Sequence, residues 1–168
     1  MEEYNNVEPC RDGAALYHFM REAIRLADES VQSGGGPFGA VIVKDGVIVA
    51  GSSNRVTVDN DPTAHAEVNA IREACRKLGV FNLKGCTIFS SCEPCPMCLA
   101  AIYWAGIDRI YYANTRKDAA AIDFADDFLY DELSLPPDQR TLPMQQMLRD
   151  EAIGTFRRWA EKTDKVSY

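Results

Sequence analysis

Two short clusters limit what this chain can fold into: His65-Ala66-Glu67, which follows Thr63-Ala64, and Cys95-Pro96-Met97-Cys98, which follows Glu93-Pro94. One imidazole and two thiolates form a donor set that Zn²⁺ binds well in tetrahedral geometry. A fold that uses them must bring His65 and Cys95, thirty positions apart, onto one metal. A zinc with three protein ligands keeps its fourth position for water, whose pKa it lowers to about 7. Glu67, two residues from the histidine, is placed to carry that water's proton.

The spacing also predicts where these residues stand. Side chains at i and i+2 of a regular helix point about 200° apart, so His65 and Glu67 converge only at the start of a helix. Asp61-Pro62-Thr63 is a turn and capping signature, and Glu67 to Cys75 continues with helical composition until Gly79 stops it. Pro94 precedes the cysteine pair, and Pro96 suits the first position of a helix running through Cys98-Leu99-Ala100-Ala101-Ile102. Thiolates at a helix N-terminus gain from the positive end of the dipole, which lowers their pKa and readies them for metal.

Around these starts the chain reads as alternating elements. Asp12 can cap a helix whose apolar positions Leu16, Phe19, Met20, Ala23, Ile24 and Ala27 follow a 3.6 period. Phe38 to Val43 and Val47 to Ala50 are expected strands, joined by Lys44-Asp45-Gly46 as an antiparallel hairpin. Further strands are expected near Thr87 to Ser90 and from Arg109 to Ala113. Helices between the later strands act as crossovers and make those strands parallel, giving a mixed sheet covered on both faces. Lys117 to Ala121 suits a short helix, Ser134 to Asp138 a loop because paired prolines break regular structure, Pro143 to Arg149 a last strand, and Glu151 to Lys162 an amphipathic helix.

The segments His65-Ala66-Glu67 and Pro94-Cys95-Pro96-Met97-Cys98 match the H-x-E…P-C-x-x-C signature of the zinc-dependent nucleoside and nucleobase deaminases. From about residue 14 onward the chain also resembles the bacterial guanine deaminases of that superfamily. The likeness runs through Gly35 to Gly46, Asn60 to Val68, Ser91 to Cys98, Ala101-Ile102-Tyr103-Trp104-Ala105 and Tyr168. It implies an α/β protein with the three-layer α/β/α cytidine-deaminase-like fold and a mixed central sheet. It also implies one Zn²⁺ per chain, hydrolysis of guanine to xanthine and ammonia in purine catabolism or salvage, and a homodimer whose C-terminal helices are exchanged between subunits. Residues 1–168 then form a single deaminase domain, with 1–12 a flexible tail and 134–168 the exchanged segment.

The resemblance assigns roles residue by residue. His65, Cys95 and Cys98 are the metal ligands and Glu67 the proton carrier. Of the six cysteines, Cys92 makes a C-x-x-C of its own with Cys95, but the resemblance selects Cys95 and Cys98 and leaves Cys92 to support the loop. Cys75 and Cys86 read as small buried residues, and Cys10 as incidental. Phe38 becomes an aromatic face for the purine, where a core strand residue is the plainer reading. Asn54 becomes an amide on the ring's polar edge, where turn chemistry is the plainer one, and Ala66 a substrate contact between ligand and proton carrier. Trp104 either fills the core or lines the pocket. Asp126, or Asp127 one residue on, accepts from guanine N–H groups, although Ala125 stands where the family's motif is acidic. Tyr168 caps the pocket, with a frayed end as its plainer reading.

Composition separates the alternatives. The net charge of −7 and a pI near 4.8 count against a protein that holds phosphate backbones, and so against a tRNA adenosine deaminase, which shares the zinc motif. Cytosine deaminase and guanosine deaminase lie closer in chemistry, the latter differing only in admitting a ribose at N9. A non-enzymatic structural zinc module would need a fourth protein ligand in place of water. The acidic first residues Met1-Glu2-Glu3-Tyr4 and the absence of any run of eighteen apolar residues lead us to expect a cytoplasmic protein with no membrane or nucleic-acid partner.

Overall fold

A computed structural model describes residues 13–167, which divide into two compact units with the boundary between Asp126 and Asp127. The first unit holds α1 (Gly13–Gln32), β1 (Gly39–Lys44), β2 (Val47–Ser53), α2 (Val56–Asp59), α3 (Ala66–Leu78), β3 (Cys86–Cys92), α4 (Pro96–Trp104), β4 (Arg109–Asn114) and α5 (Arg116–Ala120). The expected hairpin joins β1 to β2, with Asp45 and Gly46 both at positive φ, 50° and 76°, as a two-residue type I′ turn requires.

The strands line up in the order β2-β1-β3-β4. β1 is antiparallel to both neighbours, while β3 and β4 are parallel and linked through α4. α3 lies between β2 and β3 in the chain, so the connection passes over β1 and leaves β2, β3 and β4 pointing the same way. Both expected crossovers therefore form, and both deliver a helix start beside β3.

Period-2 alternation decides which side chains meet which layer. Val41, Val43 and Phe89 cluster with Phe19 and Ala23 of α1. Ala40, Ile42, Ala50 and Ile88 cluster on the other face with Ala66, Ala70 and Ala74 of α3 and Ile102 of α4. Helices thus cover both sides of a mixed sheet. α1 runs so close to β1 that a Cβ on Gly39 would lie 2.2 Å from the Ala23 carbonyl oxygen.

The second unit contains α6 (Asp127–Ser134), a 3₁₀ turn at Pro137–Gln139 and α7 (Arg149–Glu161). The Pro136-Pro137 break and the final helix appear as expected. The strand expected from Pro143 to Arg149 does not form: residues 143–148 are irregular, and Arg149 is already the first residue of α7. Pro143 lacks a donor for a ladder, and no strand in the described part of this unit offers an edge to pair with. Its described residues include none that is buried. The expectations placed on residues 1–12, Cys10, Asp12 and Tyr168 lie outside the described residues.

Candidate active site

Both motifs sit where helix geometry requires. His65 is the N-cap of α3, with extended φ −69° and ψ 154°, and Ala66 and Glu67 open the first turn. Cys95 is the N-cap of α4, also extended at φ −63° and ψ 167°, and Pro96 fills the first turn ahead of Cys98. An extended cap residue turns its side chain away from the helix axis, so His65 and Cys95 face one another across the gap between two helix starts. The His65 Nδ1 lies 3.6 Å from the Cys95 Sγ and 3.4 Å from the Cys98 Sγ. All three donor atoms fall within 4.8 Å of one another, a group able to hold a metal ion. A tetrahedral zinc with bonds of about 2.3 Å to sulfur and about 2.0–2.1 Å to nitrogen separates those two donors by about 3.6 Å. The observed separations fit that ion.

The electrostatics agree with the fit. A hydrogen bond from Cys98 draws the Cys95 thiol down to about 4, helped by the one from His65 and opposed by burial. Cys98 is pushed the other way, first by that same bond and then by burial. One shared hydrogen bond thus moves the two thiols in opposite directions, and a divalent cation would take the place of its proton. The bond to Cys95 raises the His65 pKa, outweighing burial. Cys92 stands apart: burial first, then the nearby Glu67 carboxylate, push it up to about 11, and its sulfur lies 3.6 Å from the Thr115 carbonyl.

Glu67 is buried, with 6% of its surface exposed. Burial raises its pKa, while a hydrogen bond from the Ser90 hydroxyl to Oε1, at 3.0 Å, opposes the rise. A carboxyl in this environment takes up a proton more readily than an exposed one.

Of the other predicted site residues, Asn54 follows β2 and is buried. Its Oδ1 accepts from the amides of Gly36 and Val56, each at 3.3 Å, which leaves Nδ2 as the group that can donate outward. Phe38 is half-buried against the α3 face of the sheet and meets the edge of Phe124, with centroids 5.1 Å apart at 87°. Ala66 is fully buried. Trp104 ends α4 and is 73% exposed, so it does not fill the core of this chain. Asp126 is half-buried and Asp127 exposed.

The cytidine and deoxycytidylate deaminase zinc-binding region matches residues 14–114, which include all of these motifs. The chain belongs to this zinc-dependent deaminase family. A guanine deaminase of Bacillus subtilis (strain 168) is 50% identical over 151 residues, 89% of this chain and 97% of that protein. The X-ray structure of a B. subtilis guanine deaminase superposes with a TM-score of 0.88 at 50% identity, covering 90% of this chain and 98% of that one. A tRNA-specific adenosine deaminase of Aquifex aeolicus is 41% identical, but over 100 residues, 60% of this chain and 66% of that one. Zinc is the metal of this deaminase family, and the donor group of this chain fits it.

Three neighbours escaped sequence reasoning. Ser90 touches Glu67. Phe124 braces Phe38. Asn69 donates through Nδ2 to the carbonyls of Ser53 and Ala64, at 3.2 and 3.1 Å, the residues just before Asn54 and His65. None left a distinct trace in the sequence, since β3 carries hydroxyls at Thr87 and Ser91 as well as at Ser90.

Proposed function

We propose that this deaminase hydrolyses guanine to xanthine and ammonia. The observation that carries the reading is a likeness that covers nearly the whole of both proteins, 89% of this chain and 97% of the B. subtilis guanine deaminase. Identity to the B. subtilis guanine deaminase runs over 151 residues, well past the family region that ends at 114, whereas the tRNA-specific relative matches over 100. The segment after residue 114 includes Asp126, the proposed base-recognition residue.

His65, Cys95 and Cys98 would hold the zinc, which supplies Lewis acidity and lowers the pKa of a water in its open position to about 7. Glu67 takes a proton from the attacking water and delivers it to guanine N3, which makes C2 electrophilic. It then takes the second proton from the hydroxyl now on C2 and passes it to the 2-amino group as the C2–N bond breaks. Water oxygen ends on C2, nitrogen leaves as ammonia, and Glu67 returns to its starting state. Phe38, held edge-on by Phe124, offers a flat apolar surface to the purine. Asn54 donates through Nδ2 to the ring's polar edge, Asp126 accepts from guanine N–H groups, and Ala66 lies against the substrate. In the same reading Trp104 lines the pocket and Tyr168 caps it.

Pure protein incubated with guanine, guanosine, adenine, cytosine and tRNA, with ammonia as readout, should release ammonia chiefly from guanine. Faster release from guanosine or tRNA would replace this reading.

The same proposal extends to a homodimer whose C-terminal segments close each other's sites. What supports it is the apolar surface of the second unit, where Leu142, Met147, Leu148 and Phe156 are exposed with no core of their own. Mixing a Glu67→Gln protein with one lacking residues 163–168, under conditions of subunit exchange, should restore activity that neither parent has. Loss on truncation without rescue would place the tail over its own site.

A further inference from the structure

We propose that Ser90 is the positioning residue for Glu67, holding one carboxylate oxygen so that the other faces the His65–Cys95–Cys98 cluster. The inference rests on the reading of Glu67 as proton carrier. Ser90 is 1% exposed and stands on β3, on the face that looks at α3. The neighbours it alternates with on that face are Cys86, Ile88 and Cys92. A β-branched apolar residue would fit such a position better, and a buried hydroxyl is costly unless bonded. Its Oγ finds that bond on Glu67 Oε1 at 3.0 Å, across 23 residues of sequence.

The geometry gives the bond a purpose. Glu67 lies in the first turn of α3, where the helix fixes its backbone but leaves three side-chain torsions free. A proton carrier must serve the water and then two nitrogens of the substrate in turn, and small misplacements of a reacting group cost rate steeply. β3 is an inner strand, paired with β1 on one side and β4 on the other, so a hydroxyl fixed to it is a rigid reference point. Anchoring Oε1 there removes torsional freedom from the carboxylate without occupying the oxygen that moves protons.

The test is a double-mutant cycle on the zinc-loaded enzyme. Ser90→Ala should lower kcat about 10- to 100-fold, leave KM within about twofold and retain full zinc. Ser90→Thr, which keeps the hydroxyl, should recover most of the loss. On a Glu67→Gln background, Ser90→Ala should add nothing, because the group it positions no longer carries protons. Wild-type kcat in Ser90→Ala, or the same fold-loss on both backgrounds, would overturn the proposal, and the second comparison decides even where threonine does not fit. If Glu67→Gln alone keeps full turnover, the proton-carrier reading fails instead. If Glu67→Gln is inactive while Ser90→Ala is not, only the role of Ser90 falls.

Discussion

Toward α1 the sheet presents Val41, Val43, Phe89 and Tyr111, and toward α3 and α4 it presents Ala40, Ala50, Ile88 and Ser90. The first face is built from large side chains. Phe89 stacks on Tyr111 with centroids 4.9 Å apart and meets Phe19 at 5.3 Å. The second sets Ala40, Ala50 and Ser90 among Ile42 and Ile88, and α3 answers with Ala66, Ala70 and Ala74 at the i, i+4, i+8 spacing of one helical stripe. Small residues on both sides let α3 lie close to the strands. That closeness lets Glu67, from the helix, reach Ser90, on the strand. The α1 face is therefore closed by stacked aromatic rings, while the α3 and α4 face places small residues where polar groups must approach.

The largest expected effect lies on the second face. Cys98→Ala or Cys95→Ala should abolish both zinc content and turnover, because a thiolate ligand is lost from a three-ligand site. Cys92→Ala should keep both, since its sulfur faces the Thr115 carbonyl rather than the donor cluster. Metal analysis of the three variants checks this. Equal zinc loss with Cys92→Ala would redraw the ligand set.

Next comes a substitution one residue from Ser90 but on the opposite face. Phe89 is 2% exposed, and truncating a buried phenylalanine costs about 3–5 kcal/mol. For a domain of this size that corresponds to a fall in melting temperature of on the order of 10 °C. Phe89→Ala should therefore melt early in calorimetry, yet turn over at close to the normal kcat at temperatures where it stays folded. If kcat falls together with stability, the division of labour between the two faces is wrong.

Much of this was legible in the sequence because it is local. An i, i+2 pair of functional residues forces a helix start, Pro96 marks one, and Asp45-Gly46 marks a hairpin. The helices between strands then dictate parallel crossovers. What escaped depends on partners far along the chain. Pro143 to Arg149 reads as a last strand, but a strand exists only with an edge to pair against, and nothing local supplies one. α2 and α6 gave no clear periodic signal. Trp104 could be read as core because aromatic residues usually are, whereas only the packed fold shows which end of α4 is covered. The contacts of Ser90 and Asn69 are long-range bonds between groups whose residue types are common on any surface.

The smallest effect tests whether the second face is one device or several independent contacts. Asn69 bridges the carbonyls of Ser53 and Ala64, so a single amide sets the spacing between the backbone of Asn54, proposed for the base, and that of His65, proposed for the metal. The Ala64 carbonyl keeps a second partner in the Arg55 amide, at 2.9 Å. Asn69→Ala should thus cost only about 1 kcal/mol in urea unfolding, the net worth of an ordinary hydrogen bond. Zinc is retained, because the cluster's own geometry is set by the two helix starts. KM for guanine should rise a few-fold while kcat changes less, since Asn54 is proposed to act on binding and Glu67 on the chemical step. An unchanged KM with the same stability loss would mean that Asn69 only ties the chain together, and that the two halves of the site are held in register by the sheet alone.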